Sequence, residues 1–201
     1  MSLTLLKLRT DPKNVCDQYG FIVKNTLFKE DSGGACKLLL KELHGNVYEL
    51  EPIEGAGDWF FPYRPGVGHC SVPIGQPEGT IGLTGGMNGC ALEVYKYDGR
   101  FVFYHDTNAC HLHKNGDPPG ERVCHVPYKS YAGPLNIGSN QAADLCKKHK
   151  TAVYFQHTLI CVRADGRWNV YVTGVHSYGV SGKHTTFRPT ITCLLTSFAD
   201  S

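Results

Sequence analysis

Leu92-Glu-Val-Tyr-Lys-Tyr97-Asp98-Gly99-Arg100-Phe-Val-Phe-Tyr104 is the stretch that decides the fold. Asp-Gly is a strong two-residue hairpin signal, because both central residues of a type I′ turn need positive φ, and runs rich in aromatic and apolar residues flank it on both sides. Two antiparallel strands joined at Asp98-Gly99 follow. Asp165-Gly166 repeats the signal between residues 152–163 and 167–175; since the flanks do not otherwise match, it predicts a second hairpin and no true repeat. With 23 glycines, 11 prolines and 11 tyrosines against 19% charged residues, the chain suits short strands joined by turns better than a helical bundle. The 201 residues carry no break in composition, which predicts one domain over 1–201 with a single well-filled core. The expected class is α+β, β-dominated, with an antiparallel β-sandwich-like core and one or two short helices.

The remaining elements follow from local signals. Residues 2–9 alternate loosely and read as an edge strand. Asp11-Pro12 offers an N-cap and a proline at the first helical position, predicting a short helix to about Gln18. Strands are expected at 21–29, 36–43 and 47–53, with turns at 31–34 and 44–46; helix propensity competes at 36–43. Residues 54–80, rich in Gly and Pro but carrying Trp59, Phe61 and Tyr63, read as a long structured loop that either walls a pocket or caps an open end of the sheet. Ser139 caps the clearest helix, 140–149, whose basic last turn explains the cluster Lys147-Lys148-His149-Lys150. A last strand is expected at about 185–195.

The chemistry gathers at the ends of the first hairpin. Cys90 lies seven or eight positions before the turn and His105 six or seven after it, so the two come out close to opposite and within side-chain reach. A thiol attacks carbonyls as its thiolate, which a neighbouring base favours. In Thr84-Gly-Gly-Met-Asn-Gly-Cys90, Gly86, Asn88 and Gly89 let the backbone fold tightly and aim N–H groups at a developing oxyanion.

Thr84, three residues, Asn88-Gly89-Cys90 and then a histidine on a following strand resemble the active-site pattern of the cysteine-dependent glutamine deamidases, the group of cytotoxic necrotizing factor, the Burkholderia lethal factor and the chemoreceptor deamidase. The resemblance covers residues 84–106, and Asn88 stands where the toxins have serine. It implies a mixed structure built around a β-sandwich, with Cys90 attacking a carboxamide, His105 protonating the departing ammonia and Thr84 orienting one of them. Asp106 and Asn108 are the alternatives for the orienting role. The implied protein is a bacterial effector or toxin acting on glutamine side chains of a protein target.

Two other classes compete. A cysteine amidase or peptidase would use the same dyad on a different amide, whereas a noncatalytic β-sandwich module would use the 54–80 loop to bind a partner. Cys110, His111, His113, Cys124 and His125 have ligand types suited to zinc, but their spacing matches no standard finger, and the expectation is no metal and no cofactor. His157, His176 and His184, with Cys161 and Cys193, fall on expected strands and read as packing or solvent-facing residues. A net charge of +2 with interspersed signs gives no basic field, so neither nucleic acid nor a membrane surface is an expected partner, and Trp59 and Trp168 read as core or pocket walls. Nine cysteines at irregular spacing predict reduced thiols in a cytosol. No apolar run suits a cleaved leader, so the expectation is a soluble monomer in a reduced cytosol, with delivery into a host cell by a specialised secretion system compatible with it.

Overall fold

A computed structural model describes residues 3–132, 137–179, 182–190 and 192–200. Strands hold 51% of the chain and helices 17%, and the fold is a β-dominated α+β structure built on two sheets. The expected strand positions Ser2 and Ile191 lie outside the described residues.

Helices α1 (Leu5–Thr10) and α2 (Pro12–Gln18) precede strands β1 (Gly20–Val23), β2 (Gly34–His44), β3 (Val47–Phe61), β4 (Val67–Pro73), β5 (Ile81–Thr84), β6 (Ala91–Tyr97) and β7 (Arg100–Asp106). A short 3-10 turn at Thr107–Ala109 leads to β8 (Glu121–Val126), α3 (Tyr128–Ala132), α4 (Ile137–His149), β9 (Val153–Ala164), β10 (Arg167–Tyr178), β11 (His184–Phe187) and β12 (Leu194–Ala199). The larger sheet has eight strands, ordered β1-β3-β5-β9-β10-β11 with β2 on β3 and β12 on β10; the smaller has four, ordered β4-β7-β6-β8.

Both expected hairpins form. Asp98 and Gly99 have φ of 47° and 69°, and Asp165 and Gly166 have φ of 55° and 69°, as a type I′ turn requires. The larger sheet is mixed, however, because β1 and β5 each pair parallel with β3. The segment expected as an edge strand at 2–9 is instead helix α1, started by Thr4, whose Oγ1 accepts from the Lys7 N–H at 3.2 Å. The expected strand at 21–29 stops at Val23, and the one at 185–195 splits into β11 and β12.

The expected loop at 54–80 is corrected most. β3 runs on to Phe61, and β4 takes Val67–Pro73 of the remainder. Gly55 and Gly57 have φ of 144° and 116° and sit in a bulge where the partner register jumps from Lys37↔Ile53 to Cys36↔Asp58. Glycines that read as loop signals thus carry a strand through a distortion that bulky residues resist.

Alternation along the central strands builds two cores. On β9, Leu159 and Cys161 face the smaller sheet with Phe101, Phe103, Trp168 and Phe198, while Ile160 and Val162 face the opposite side with Leu8, Val15, Phe21 and Leu83. Buried on both faces, β9 reads as a nearly continuous apolar run from Leu159 to Val162. The order of layers is therefore small sheet, large sheet, then α1 and α2, with α4 against β9 and β10.

Candidate active site

The parity of β5 and β7 places the site. A Cβ built on Gly82 would lie 3.9 Å from Phe103 Cε1, so that face of β5 looks onto β7 across the gap between the sheets. Two residues further along each strand the same faces present Thr84 and His105. Thr84 Oγ1 and His105 Nδ1 are 2.7 Å apart, and both residues are wholly buried. This hydrogen bond ties the large sheet to the small one at the end of the sandwich.

In the hairpin register Leu92 lies opposite His105 and Ala91 opposite Asp106. Cys90, which precedes β6, is therefore one diagonal step from His105, where a position close to opposite is the expectation. Diagonal neighbours are about 7–8 Å apart at Cα, within reach of long side chains. Cys90 is 2% exposed. No hydrogen bond joins its sulfur to His105, and the Nε2 of His105 is buried with no partner among the described residues.

The sulfur lies 4.0 Å from Asn88 O, to which it donates, and the turn after β7 also faces it. Burial pushes the Cys90 thiol above its ordinary value, and the Asn108 N–H opposes this by donating toward the sulfur, while the Asp106 carboxylate adds to the rise. Thr107 also stands beside the thiol, but its hydroxyl proton is committed to the Arg64 carbonyl at 2.6 Å. Asn108 reaches this position through a left-handed backbone, φ 57° and ψ 15°, which asparagine tolerates better than most residues. Asp106 holds the turn closed by accepting the His111 N–H at 2.8 Å. Of the two residues expected as alternatives to Thr84, neither orients His105; Asp106 shapes the turn and Asn108 serves the thiol.

The glycine loop is held firmly. Cys90 N–H donates to Met87 O at 3.5 Å with Gly89 at φ 89°, a turn whose third residue needs positive φ. The Asn88 side chain is fully engaged on β9: its amide donates to Phe155 O at 2.7 Å, and its Oδ1 accepts from the His157 N–H at 3.0 Å and faces His157 Nδ1 at 3.1 Å. The backbone N–H groups of Gly86, Asn88 and Gly89 have no acceptor among the described residues, so they remain free to donate. Beneath the loop, the buried Tyr131 hydroxyl meets Met87 O and lies 2.7 Å from Cys90 O.

The three aromatic residues expected in a substrate loop separate. Phe61 is in the core, 5.5 Å from the Phe103 ring. Trp59 is half-buried, and its Nε1 donates to Gln76 Oε1 at 2.9 Å. Only Tyr63 reaches the site, packing edge-on against His105 with ring centroids 5.2 Å apart while remaining 45% exposed. A glycine makes this possible. Gly68 lies opposite His105 on β4, and a Cβ there would fall 1.7 Å from the Pro62 carbonyl oxygen, so the chain crosses over β4 only because Gly68 has no side chain. Tyr63, Gly85, Gly86, Asn88 and Gln156 then line an open cleft beside the end of β5.

No protein-family model matches the chain, and no curated protein matches it.

Burial holds His105 down at about 4, so at neutral pH its ring is uncharged. A neutral imidazole with an unpartnered Nε2 and a neutral thiol a diagonal step away are not a resting ion pair, and their residue types suit a base and a nucleophile. The residues of zinc-ligand type are otherwise engaged or apart: Cys124 is buried in the core, and His113 bridges the Glu93 and Asp117 carboxylates at 3.0 and 2.7 Å. Among the described residues no three His, Cys, Asp or Glu side chains are grouped to hold a metal ion. The nine cysteines are all free thiols, and no helix among the described residues is long and apolar enough to cross a membrane.

Thr107, Tyr131 and His157 were not singled out as site residues by sequence reasoning. His157 read as a packing residue, and nothing local in the sequence marks Thr107 or Tyr131, because each meets the site through a contact between distant segments.

Proposed function

We propose that the chain is a cysteine-dependent amidohydrolase whose reaction is deamidation of a glutamine side chain on a protein target. The observation that supports this reading is the 2.7 Å pairing of Thr84 with His105 across the two sheets, at the end of the hairpin where Cys90 emerges. In the tautomer that serves a base, His105 Nδ1–H donates to Thr84 Oγ1 and the lone pair stands on Nε2. As sulfur attacks the carboxamide carbon, Nε2 takes the thiol proton. The oxyanion draws on the unpaired N–H groups of the 86–89 loop. The imidazolium then protonates the leaving nitrogen, ammonia departs, and a thioester remains. A water that gives its proton to Nε2 adds to the thioester, releasing glutamate and restoring the thiol.

Tyr63 is the accessible wall of this site, and the cleft beside Gly85 and Gly86 is where the glutamine enters. The protein as a bacterial effector belongs to the same proposal.

The experiment is mass spectrometry of a candidate target proteome treated with the wild-type chain or with Cys90→Ser. Deamidation gives a unit mass gain at glutamine that vanishes in the variant. Cys90-dependent fragmentation would replace the proposal with a peptidase, and no Cys90-dependent change would leave the binding-module reading in its place.

A further inference from the structure

A second concavity lies around α4 from the catalytic loop, between the last turn of that helix, the β10–β11 hairpin and the end of β2. Its charged and imidazole-bearing wall is His44, Lys148, His149, His176, Lys183 and His184, and hydroxyl-bearing residues line it together with Gln141 and Leu145. No aspartate or glutamate lines it, although the chain as a whole nearly balances 20 Lys and Arg against 18 Asp and Glu. Its cleft of about 800 Å³ falls in the size range of small-molecule sites, around 300–1,000 Å³.

The basic end of α4 accounts for Lys148 and His149, since cations favour a helix C-terminus. It does not account for His44, Lys183 and His184, which come from β2 and the β10–β11 hairpin, far away in sequence. Gathering these groups has a cost: the His184 ring is held below its ordinary value by burial and then by His44, with the Glu49 carboxylate only partly opposing them. Several rings are also held in place. Ser177 Oγ lies 3.0 Å from His184 Nδ1, His149 packs edge-on to Tyr178 at 5.4 Å, and the buried His176 donates Nε2–H to Gly138 O at 2.9 Å while its ring lies 4.3 Å from that of Phe187. The result is a lining of two lysines, four imidazole rings and several hydroxyl-bearing residues, with no carboxylate on the wall itself.

We propose that this cleft binds a phosphate monoester, whose oxygens accept from lysine ammonium, imidazole N–H and hydroxyl donors together. Its volume exceeds that of inorganic phosphate and leaves room for the group the phosphate is attached to. The site is independent of the Cys90 chemistry and stands whether or not that reading does.

Calorimetric titration at low salt tests it with three probes: inorganic phosphate, adenosine monophosphate, and a short phosphoserine peptide beside its unphosphorylated twin. The expected result is binding of a phosphate-bearing probe that weakens roughly tenfold, about 1.4 kcal/mol, in Lys148→Ala, an exposed substitution that leaves the fold intact, and likewise in His184→Gln. Tighter binding of the phosphopeptide than of the nucleotide assigns the ligand to a modified protein, and the reverse order to a free metabolite. Absence of binding, equal binding of the unphosphorylated peptide, or affinity unchanged in both variants overturns the proposal.

Discussion

His105 and His157 are nearly the same residue by every bulk measure and differ in what surrounds them. Both are fully buried, both are held by burial at about 4, and both have an Nε2 with no partner among the described residues. Each also has its Nδ1 held by one polar side chain, Thr84 for the first and Asn88 for the second. Yet His157 is enclosed by four aromatic rings, those of Tyr128, Tyr131, Phe155 and Phe187, at 5.3–6.1 Å between centroids. His105 meets one aromatic ring, the half-exposed Tyr63, and a thiol lies a diagonal step away. A perturbed imidazole therefore does not by itself mark a site; the thiol nearby is what makes His105 the candidate.

The largest expected effect separates the two. Cys90→Ser and His105→Gln should each lower the rate of the proposed deamidation by about 10²–10⁴-fold or more, with Cys90→Ser near wild type in thermal stability, as loss of a nucleophile or general base does. His157→Gln should do the reverse, lowering stability by about 2 kcal/mol through the aromatic packing while leaving turnover close to wild type. Steady-state ammonia release and calorimetric melting of the three variants decide it. Equal activity loss in His157→Gln and His105→Gln would dissolve the distinction.

Thr84 comes next. Thr84→Val keeps the shape and removes the oxygen from His105 Nδ1, so the ring loses its orientation and turnover should fall by about 10²-fold. Thr84→Ser restores the oxygen and should recover most of the rate. A structural role alone would track side-chain volume, and Thr84→Val would then be the milder change.

How much of this was legible before the structure depends on the sequence distance of each contact. The hairpin at Asp98-Gly99 is a local signal, and parity along its strands was enough to bring Cys90 and His105 to one end; only the diagonal offset was missed. The extension of β3 was hidden because Gly55 and Gly57 serve a bulge while resembling a loop. Thr4 capping turned an apparent edge strand into α1, a signal present in the sequence and overlooked. Asn88 was read as part of an oxyanion turn, but its side chain is spent on Phe155 and His157 across 67 and 69 positions. No periodicity or turn rule reports a bond of that span, and the same holds for Tyr131 beneath Cys90.

Acid should weaken the whole fold through both histidines. Their folded-state values lie at about 4 against an ordinary 6.5, so below pH 6.5 the unfolded chain binds protons that the folded chain refuses. Stability contributed by these groups is therefore complete above about 6.5 and lost as pH falls toward 4. Melting temperatures measured across that window should drop steeply, and His105→Gln or His157→Gln should each flatten part of the drop. A melting temperature independent of pH over the window would show that neither ring is buried uncharged.

The smallest effect probes the anchor of the second histidine. In Asn88→Asp the side chain keeps an oxygen facing His157 Nδ1 but becomes anionic, which favours the imidazolium and raises the His157 value toward its ordinary one. The substitution also loses the amide that donates to Phe155 O, a net cost of about 1 kcal/mol. The expected variant is thus less stable at neutral pH but less sensitive to acid, its melting temperature falling more gently between pH 6.5 and 4 than that of the wild type. Since His105 is untouched, its share of the acid response should persist, so the curve flattens without becoming level. An unchanged slope would mean that the charge does not reach the His157 ring, and that the shared behaviour of the two histidines does not arise from their anchors.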